Sequence, residues 1–197
     1  MSNNENITGS EVEEAQPAYN IKYTYTDYLK WDDGVRRELI DGKIYLMAGS
    51  NRRHQKLSGN LYEQFKAFLK GKACEVYYAP LDVRLNADTL DDTVVQPDLM
   101  IVCDDSILDD AGIKGAPDMV IEILSPATAD YDRITKFNMY LQAGVKEYWI
   151  IDPVTKSLAV NILIDDRYIT HVYANEETTP VHVLEGCTIN LLEIFQE

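Results

Sequence analysis

The stretch GAPDMVIEILSPATADYDRITKF, Gly115 to Phe137, decides how the chain is read. Met119, Val120, Ile121, Ile123 and Leu124 form a short apolar run of the kind that fills the middle of a sheet. Glu122 stands inside that run. A carboxylate placed there needs a counter-charge, because desolvating an unpaired ion costs several kcal/mol. After Ser125-Pro126 the period changes to a helical one, with Ile134, Phe137 and Leu141 as its expected apolar stripe and Gly144 at its end. The next segment, EYWIID, reads as another buried strand. Strand, helix and strand in so short a span predict a right-handed parallel crossover.

Working outward, VVQPDLMIV and EVYYAPLDVRL read as strands. LIDGK within RRELIDGKIYLMA predicts a hairpin turning at Asp41-Gly42. Leu57, Leu61, Phe65 and Phe68 recur at helical spacing from His54 to about Leu69. TYTDYLKWDD suits a short helix capped by Thr24 or Thr26, and the acidic segment 104–114 reads as a loop. LAVNILIDDRYITHVY predicts a hairpin around Asp165-Asp166, and VHVLEGCTINL a last strand. The expected class is α/β (an α+β mixed sheet) with core order helix-strand-strand-strand-helix-strand, an N-terminal hairpin and extra C-terminal strands. Residues 1–18 are polar and unpatterned, which predicts a disordered tail before a single domain over 19–197.

The chain has 197 residues and a net charge of -15. That balance disfavours a non-specific polyanion binder relying on counterion release. Charge is uneven, however: Arg52, Arg53, Lys56, Lys66, Lys70 and Lys72 fall in one short segment with a single acid, Glu63. A solvated helix face is the plain account of that segment. No apolar run reaches membrane-span length, and the N-terminus lacks the pattern of a signal peptide. Cys74, Cys103 and Cys187, widely spaced and with no CxxC pair, predict three reduced thiols and a cytoplasmic protein.

Side chains alternate along strands, so Asp98 shares a face with Met100 and Val102, and Glu122 with Val120 and Leu124. If the two strands are neighbours, both carboxylates point to one place and repel by roughly 3 kcal/mol at ~5 Å. Two such hard oxygens plus a backbone carbonyl, that of Ile123, suit Mg²⁺ or Mn²⁺. Asp132, Lys136 and Tyr140 are spaced by four on the following helix, so Lys136 can reach back toward Glu122. A structural Glu122–Lys136 ion pair is the plainer account. His54 is open between packing, capping and a substrate phosphate contact. Tyr77, Tyr78 and Tyr140 are open between packing and base stacking, and Asp82 between a turn and the site. Asp118, four residues before Glu122, is too far along its strand to join, and His171 and His182 lack metal-ligand spacing.

In order and spacing, ELIDGKIYLM, the His54-led helix, VVQPDLMIV, GAPDMVIEILSP and DYDRITKFNMYLQAGVKEYWIID resemble the Uma-type, restriction-endonuclease-like family of the PD-(D/E)xK nuclease superfamily. The resemblance runs from about Tyr25 to the C-terminus. It implies a metal-dependent endonuclease acting on DNA, with Asp98 and Glu122 as metal-binding acids and Glu38 as an added carboxylate. Leu124 stands where the superfamily motif has lysine, and the resemblance implies that Lys136 takes that role from the helix. His54 and Tyr140 become substrate-contact candidates, and a homodimer follows by analogy with enzymes that cut two strands. The rival reading is a non-catalytic binding or assembly module that retains the fold.

Overall fold

A computed structural model describes residues 21–47, 49–125 and 131–196, without the side chain of Asp132. The expected tail, 1–18, lies outside the described residues. In chain order the elements begin with α1 (Tyr25–Tyr28), β1 (Arg37–Ile40), β2 (Lys43–Leu46) and α2 (Arg52–Leu69). Strands β3 (Glu75–Tyr78), β4 (Asp82–Arg84), β5 (Val94–Val95) and β6 (Leu99–Val102) follow. Then come β7 (Leu108–Asp109), β8 (Gly112–Lys114) and β9 (Met119–Ile123). A π-helical turn (Tyr131–Lys136) runs directly into α3 (Phe137–Ala143) and β10 (Glu147–Asp152). The chain closes with β11 (Ser157–Ile164), β12 (Arg167–Ala174), β13 (Thr178–Pro180), β14 (Thr188–Asn190) and α4 (Leu191–Ile194).

Two mixed sheets form the frame. The first has the order β2-β1-β5-β4-β8-β7, the second β12-β11-β10-β9-β6-β3. In the second, β9 and β10 pair in parallel, as the crossover predicts, while β6 lies antiparallel on the other side of β9. Helix α2 buries Leu57, Leu61, Phe65 and Leu69 against one face, together with Leu99, Ile101, Ile121 and Trp149. Removing each such side chain from water contributes about 1.5 to 3 kcal/mol. The opposite face packs Met100, Val120, Tyr148 and Ile150 against Met139 and Tyr140 of α3 and against Ile40, Val83 and Val95 of the first sheet. The central strands are thus covered on both sides, which is why they read as continuous apolar runs.

The turn residues act as expected where the backbone demands it. Asp41 (φ 51°) and Gly42 (φ 76°) both adopt the left-handed conformation that a two-residue hairpin turn requires. Gly144, at φ 80°, ends α3.

Five expectations change. The stripe Ile134/Phe137/Leu141 is not the buried one: Ile134 is 62% exposed, and Lys136, Met139 and Tyr140 face inward. The π turn advances the chain by i→i+5 bonding and so rotates the helix face away from its α-spacing. The acidic 104–114 segment holds a short helical turn (Asp105–Ile107) and the β7–β8 hairpin. EVYYAPLDVRL is not one strand: β3 lies in the second sheet and β4 in the first. VHVLEGCTINL turns from Val181 to Cys187 before β14, where Val181 donates to the Cys187 carbonyl. Finally, Cys74 and Cys103 form a disulfide, leaving Cys187 as a buried thiol. The β3–β6 register, which pairs Glu75 with Val102, brings the two cysteines opposite each other one position further on. The inference from three reduced thiols to a reducing compartment falls with that pairing. Among the described residues no helix is long and apolar enough to cross a membrane.

Candidate active site

Strands β6 and β9 pair Leu99 with Ile121, so the next step of the register sets Asp98 opposite Glu122 at the strand ends. The backbone ties them further, since the Ile123 N–H donates to Asp98 Oδ2 at 2.8 Å. Asp98 Oδ2 also lies 2.9 Å from His54 Nε2. A carboxylate only accepts, so Nε2 carries the proton. The other ring nitrogen, Nδ1, is buried without a hydrogen-bond partner among the described residues. Asn51 starts α2 by accepting the His54 backbone N–H at 3.0 Å, which sets the imidazole at the helix entrance. With both donors on Oδ2, Asp98 Oδ1 makes no hydrogen bond among the described residues.

Glu122 is 4% exposed, and its Oε1 accepts from Lys136 Nζ and from the Tyr140 hydroxyl, each at 2.8 Å. Lys136 Nζ also lies 3.0 Å from Oε1 of Glu38, which stands on β1 of the other sheet. Glu38 in turn accepts the Gln96 backbone N–H at 3.0 Å and the Tyr131 hydroxyl at 2.9 Å. Burial first, and then the charge of the neighbouring carboxylates, raises the Tyr131 and Tyr140 phenols far above their ordinary value. Both therefore stay protonated and donate. The buried group holds two carboxylates over one ammonium, and Asp98 adds a third negative charge beside it.

Glu38, His54, Asp98, Glu122, Ile123 and Lys136 all line one cavity of about 680 Å³. The donor set fits a hard divalent cation of the Mg²⁺ or Mn²⁺ kind. Asp98 and Glu122 offer anionic oxygens on facing strand ends, and the excess negative charge attracts a cation. Among the described residues no three His, Cys, Asp or Glu side chains cluster as a closed ligand shell. One or two carboxylates with open positions are the set on which Mg²⁺ keeps its waters and meets substrate phosphates.

The structure brings Asp98, Glu122, Lys136, Glu38, His54 and the Ile123 backbone to one cavity wall. Tyr140 touches Glu122 but, with no exposed surface, does not line the cavity and cannot stack on a base. Asp82 lies elsewhere, accepting from Tyr28 and Gln96. Asp118 accepts the Cys103 N–H and pairs with Lys146. The Tyr77 hydroxyl donates to Glu75, and burial followed by that carboxylate pushes the phenol up to about 12. Tyr131 escaped the sequence reading. It is five residues from Lys136, a spacing that shares a face only in a π turn.

This arrangement of sheets and helices has a solved counterpart. The crystal structure of a "putative nuclease belonging to DUF820" from Anabaena variabilis superposes with a TM-score of 0.72. It is 20% identical in sequence, and the match covers 88% of this chain and 97% of that one. The fold is restriction-endonuclease-like. The chain belongs to the Uma2 family, described as "Putative restriction endonuclease", whose model matches residues 25–192. Two uncharacterized proteins of Synechocystis sp. are also similar. One is 33% identical over 121 residues, 60% of this chain and 62% of that protein. The other is 26% identical over 135 residues, 66% of this chain and 74% of that protein.

Proposed function

We propose that the protein is a metal-dependent endonuclease that hydrolyses phosphodiester bonds in DNA. The observation that carries this reading is the facing pair Asp98 and Glu122 on the wall of a cavity, with Lys136 drawn against Glu122. Asp98 Oδ1, Glu122 and the Ile123 carbonyl would hold Mg²⁺ or Mn²⁺. Such an ion lowers the pKa of a bound water and neutralises charge developing on a phosphate. Water attacks phosphorus and releases a proton to solvent, the bond to the leaving sugar oxygen breaks, and that oxygen takes up a proton from solvent.

The chain's own groups have distinct tasks in this reading. Lys136 supplies a fixed positive charge at the cavity wall, where charge develops on the phosphoryl oxygens. Glu38, Tyr131 and Tyr140 hold that ammonium and its carboxylate partner in place. His54 and the Ile123 N–H fix Asp98 by one oxygen and leave the other toward the cavity.

The test is plasmid nicking in Mg²⁺ and in Mn²⁺, with calorimetric metal binding alongside, on the wild type and Glu122→Gln. Nicking is expected in the wild type and at least ~100-fold slower in the variant, with weakened metal binding. A wild type that neither binds metal nor nicks DNA would overturn the reading and leave the fold as a binding module.

A further inference from the structure

The longest helix breaks a rule of helix electrostatics. Its N-terminus carries partial positive charge, which favours acids in the first turn and disfavours bases there. The chain has 33 acids, yet α2 has none in its first turn and begins instead with Arg52 and Arg53. Further bases follow at Lys56, Lys66 and Lys70.

Helical geometry aligns them. At 3.6 residues per turn, Arg52, Lys56, Lys66 and Lys70 fall within about 80° of arc. The stripe lies opposite Leu57, Leu61, Phe65 and Leu69, which are buried; Arg52, Lys66 and Lys70 are exposed and Lys56 is half-buried. One acid, Glu63, shares it. None of the four has an ion-pair partner among the described residues, whereas Arg84, Lys114, Arg133 and Lys146 each meet a carboxylate. Lys22, Lys43 and Arg167 also lack an ion-pair partner among the described residues; what distinguishes the four is that they share one stripe of one helix. The row extends about 27 Å from Arg52 to Lys70 at 1.5 Å per residue. It starts at the helix turn whose other side, Asn51, His54 and Gln55, lines the candidate site.

We infer that this ridge is a track for the phosphate backbone of a nucleic-acid strand entering the site. The inference rests on the nucleic-acid part of the function proposed above. A strand laid along it meets regularly spaced negative charge, about one phosphate per 3.4 Å of helix rise. Without the four bases the chain's net charge is -19 (-15 less 4), a balance that disfavours the same strand elsewhere, so the charge pattern itself sets the approach. The stability cost of bases at the helix start is accounted for by that contact.

The test replaces Arg52, Lys56, Lys66 and Lys70 with Gln together and follows a fluorescent 20-nucleotide oligonucleotide, single-stranded and duplex, by anisotropy. EDTA prevents turnover, and NaCl runs from 25 to 200 mM. The wild type is expected to bind with a steep salt dependence. The variant is expected to lose at least ~10-fold in affinity at the lowest salt, and roughly 2 to 4 units of log K against log salt slope, at about 0.7 to 0.9 per lost phosphate contact. Its melting temperature should hold or rise, since no fully buried group changes and a base leaves the helix start. Hydrolysis of bis(4-nitrophenyl) phosphate, too small to reach the ridge, reads the site separately. It should be unchanged in this variant and lost in Glu122→Gln. An unchanged affinity and slope, a wild type that does not bind the oligonucleotide, or a wild type that binds only anionic lipid vesicles would overturn the track. Loss of oligonucleotide binding in the Gln variant, with Glu122→Gln as active as wild type on the small ester, would keep the track and discard the site.

Discussion

Two carboxylates are buried on adjacent central strands, one on each face of the second sheet. Glu122 on β9 is 4% exposed; Glu147 on β10 has no exposed surface. Glu147 is closed by neutral donors. The Trp149 indole N–H bonds one oxygen at 2.7 Å and the Val183 backbone N–H the other at 2.9 Å. Glu122 meets an ammonium and a phenol, lies opposite a second acid, and borders a cavity. Burial of an acid therefore does not by itself mark a site. What separates the two is the company: fixed positive charge, excess negative charge and access for a ligand on one side, saturation by backbone and indole on the other.

The strongest way to break this contrast is Lys136→Met. On the Glu122 face it leaves Glu38 and Glu122 buried together with no cation between them. Removing one partner of a buried ion pair costs about 3 to 5 kcal/mol, read as a lower midpoint in urea unfolding. The double variant Lys136→Met with Glu122→Gln should recover part of that loss. A single variant as stable as the wild type would mean that the cluster does not hold its charges in the folded protein.

A smaller effect separates orientation from packing at Asp98. His54→Leu removes the donor to Oδ2 while keeping bulk; His54→Gln restores an N–H. Groups that orient a ligating carboxylate typically change metal affinity 10- to 100-fold. Mn²⁺ binding followed by electron paramagnetic resonance should weaken by that factor in His54→Leu and recover in His54→Gln. Equal weakening in both variants would assign His54 to packing alone.

Much of this was legible before any coordinates. A charge inside Met119–Leu124 announced itself by breaking an apolar run, and period-two alternation put Asp98 on the matching face. The leucines and phenylalanines of α2 fixed its buried side at ordinary α spacing. Legibility stopped where geometry departs from a simple period. The π turn put Tyr131, five residues from Lys136, on the site face and turned Ile134 out to solvent. Glu38 lies 98 residues before Lys136 in the chain and meets it only because the first sheet packs on the second. That step belongs to tertiary structure, and its sole sequence sign was the family resemblance. The Cys74–Cys103 pairing depends on the β3–β6 register, which two isolated cysteines do not disclose.

The subtlest test concerns pH and the other face. Burial, the leading cause, raises the Glu147 carboxyl above its ordinary value of 4.5 despite the donors from Val183 and Trp149. A raised acid binds more protons folded than unfolded, so this group's contribution to stability falls as pH rises from about 4.5 through the folded value. Glu147→Gln deletes that slope. The amide presents an N–H to one of the two donors, a pH-independent cost of about 1 kcal/mol. Thermal melts from pH 4 to pH 8 should therefore show the variant's deficit largest at the acid end and shrinking as pH rises. Hydrolysis at the Glu122 site should not change. A deficit that grows with pH would mean that Glu147 is held as a stabilised anion, and the contrast between the two faces would then rest on the cavity alone.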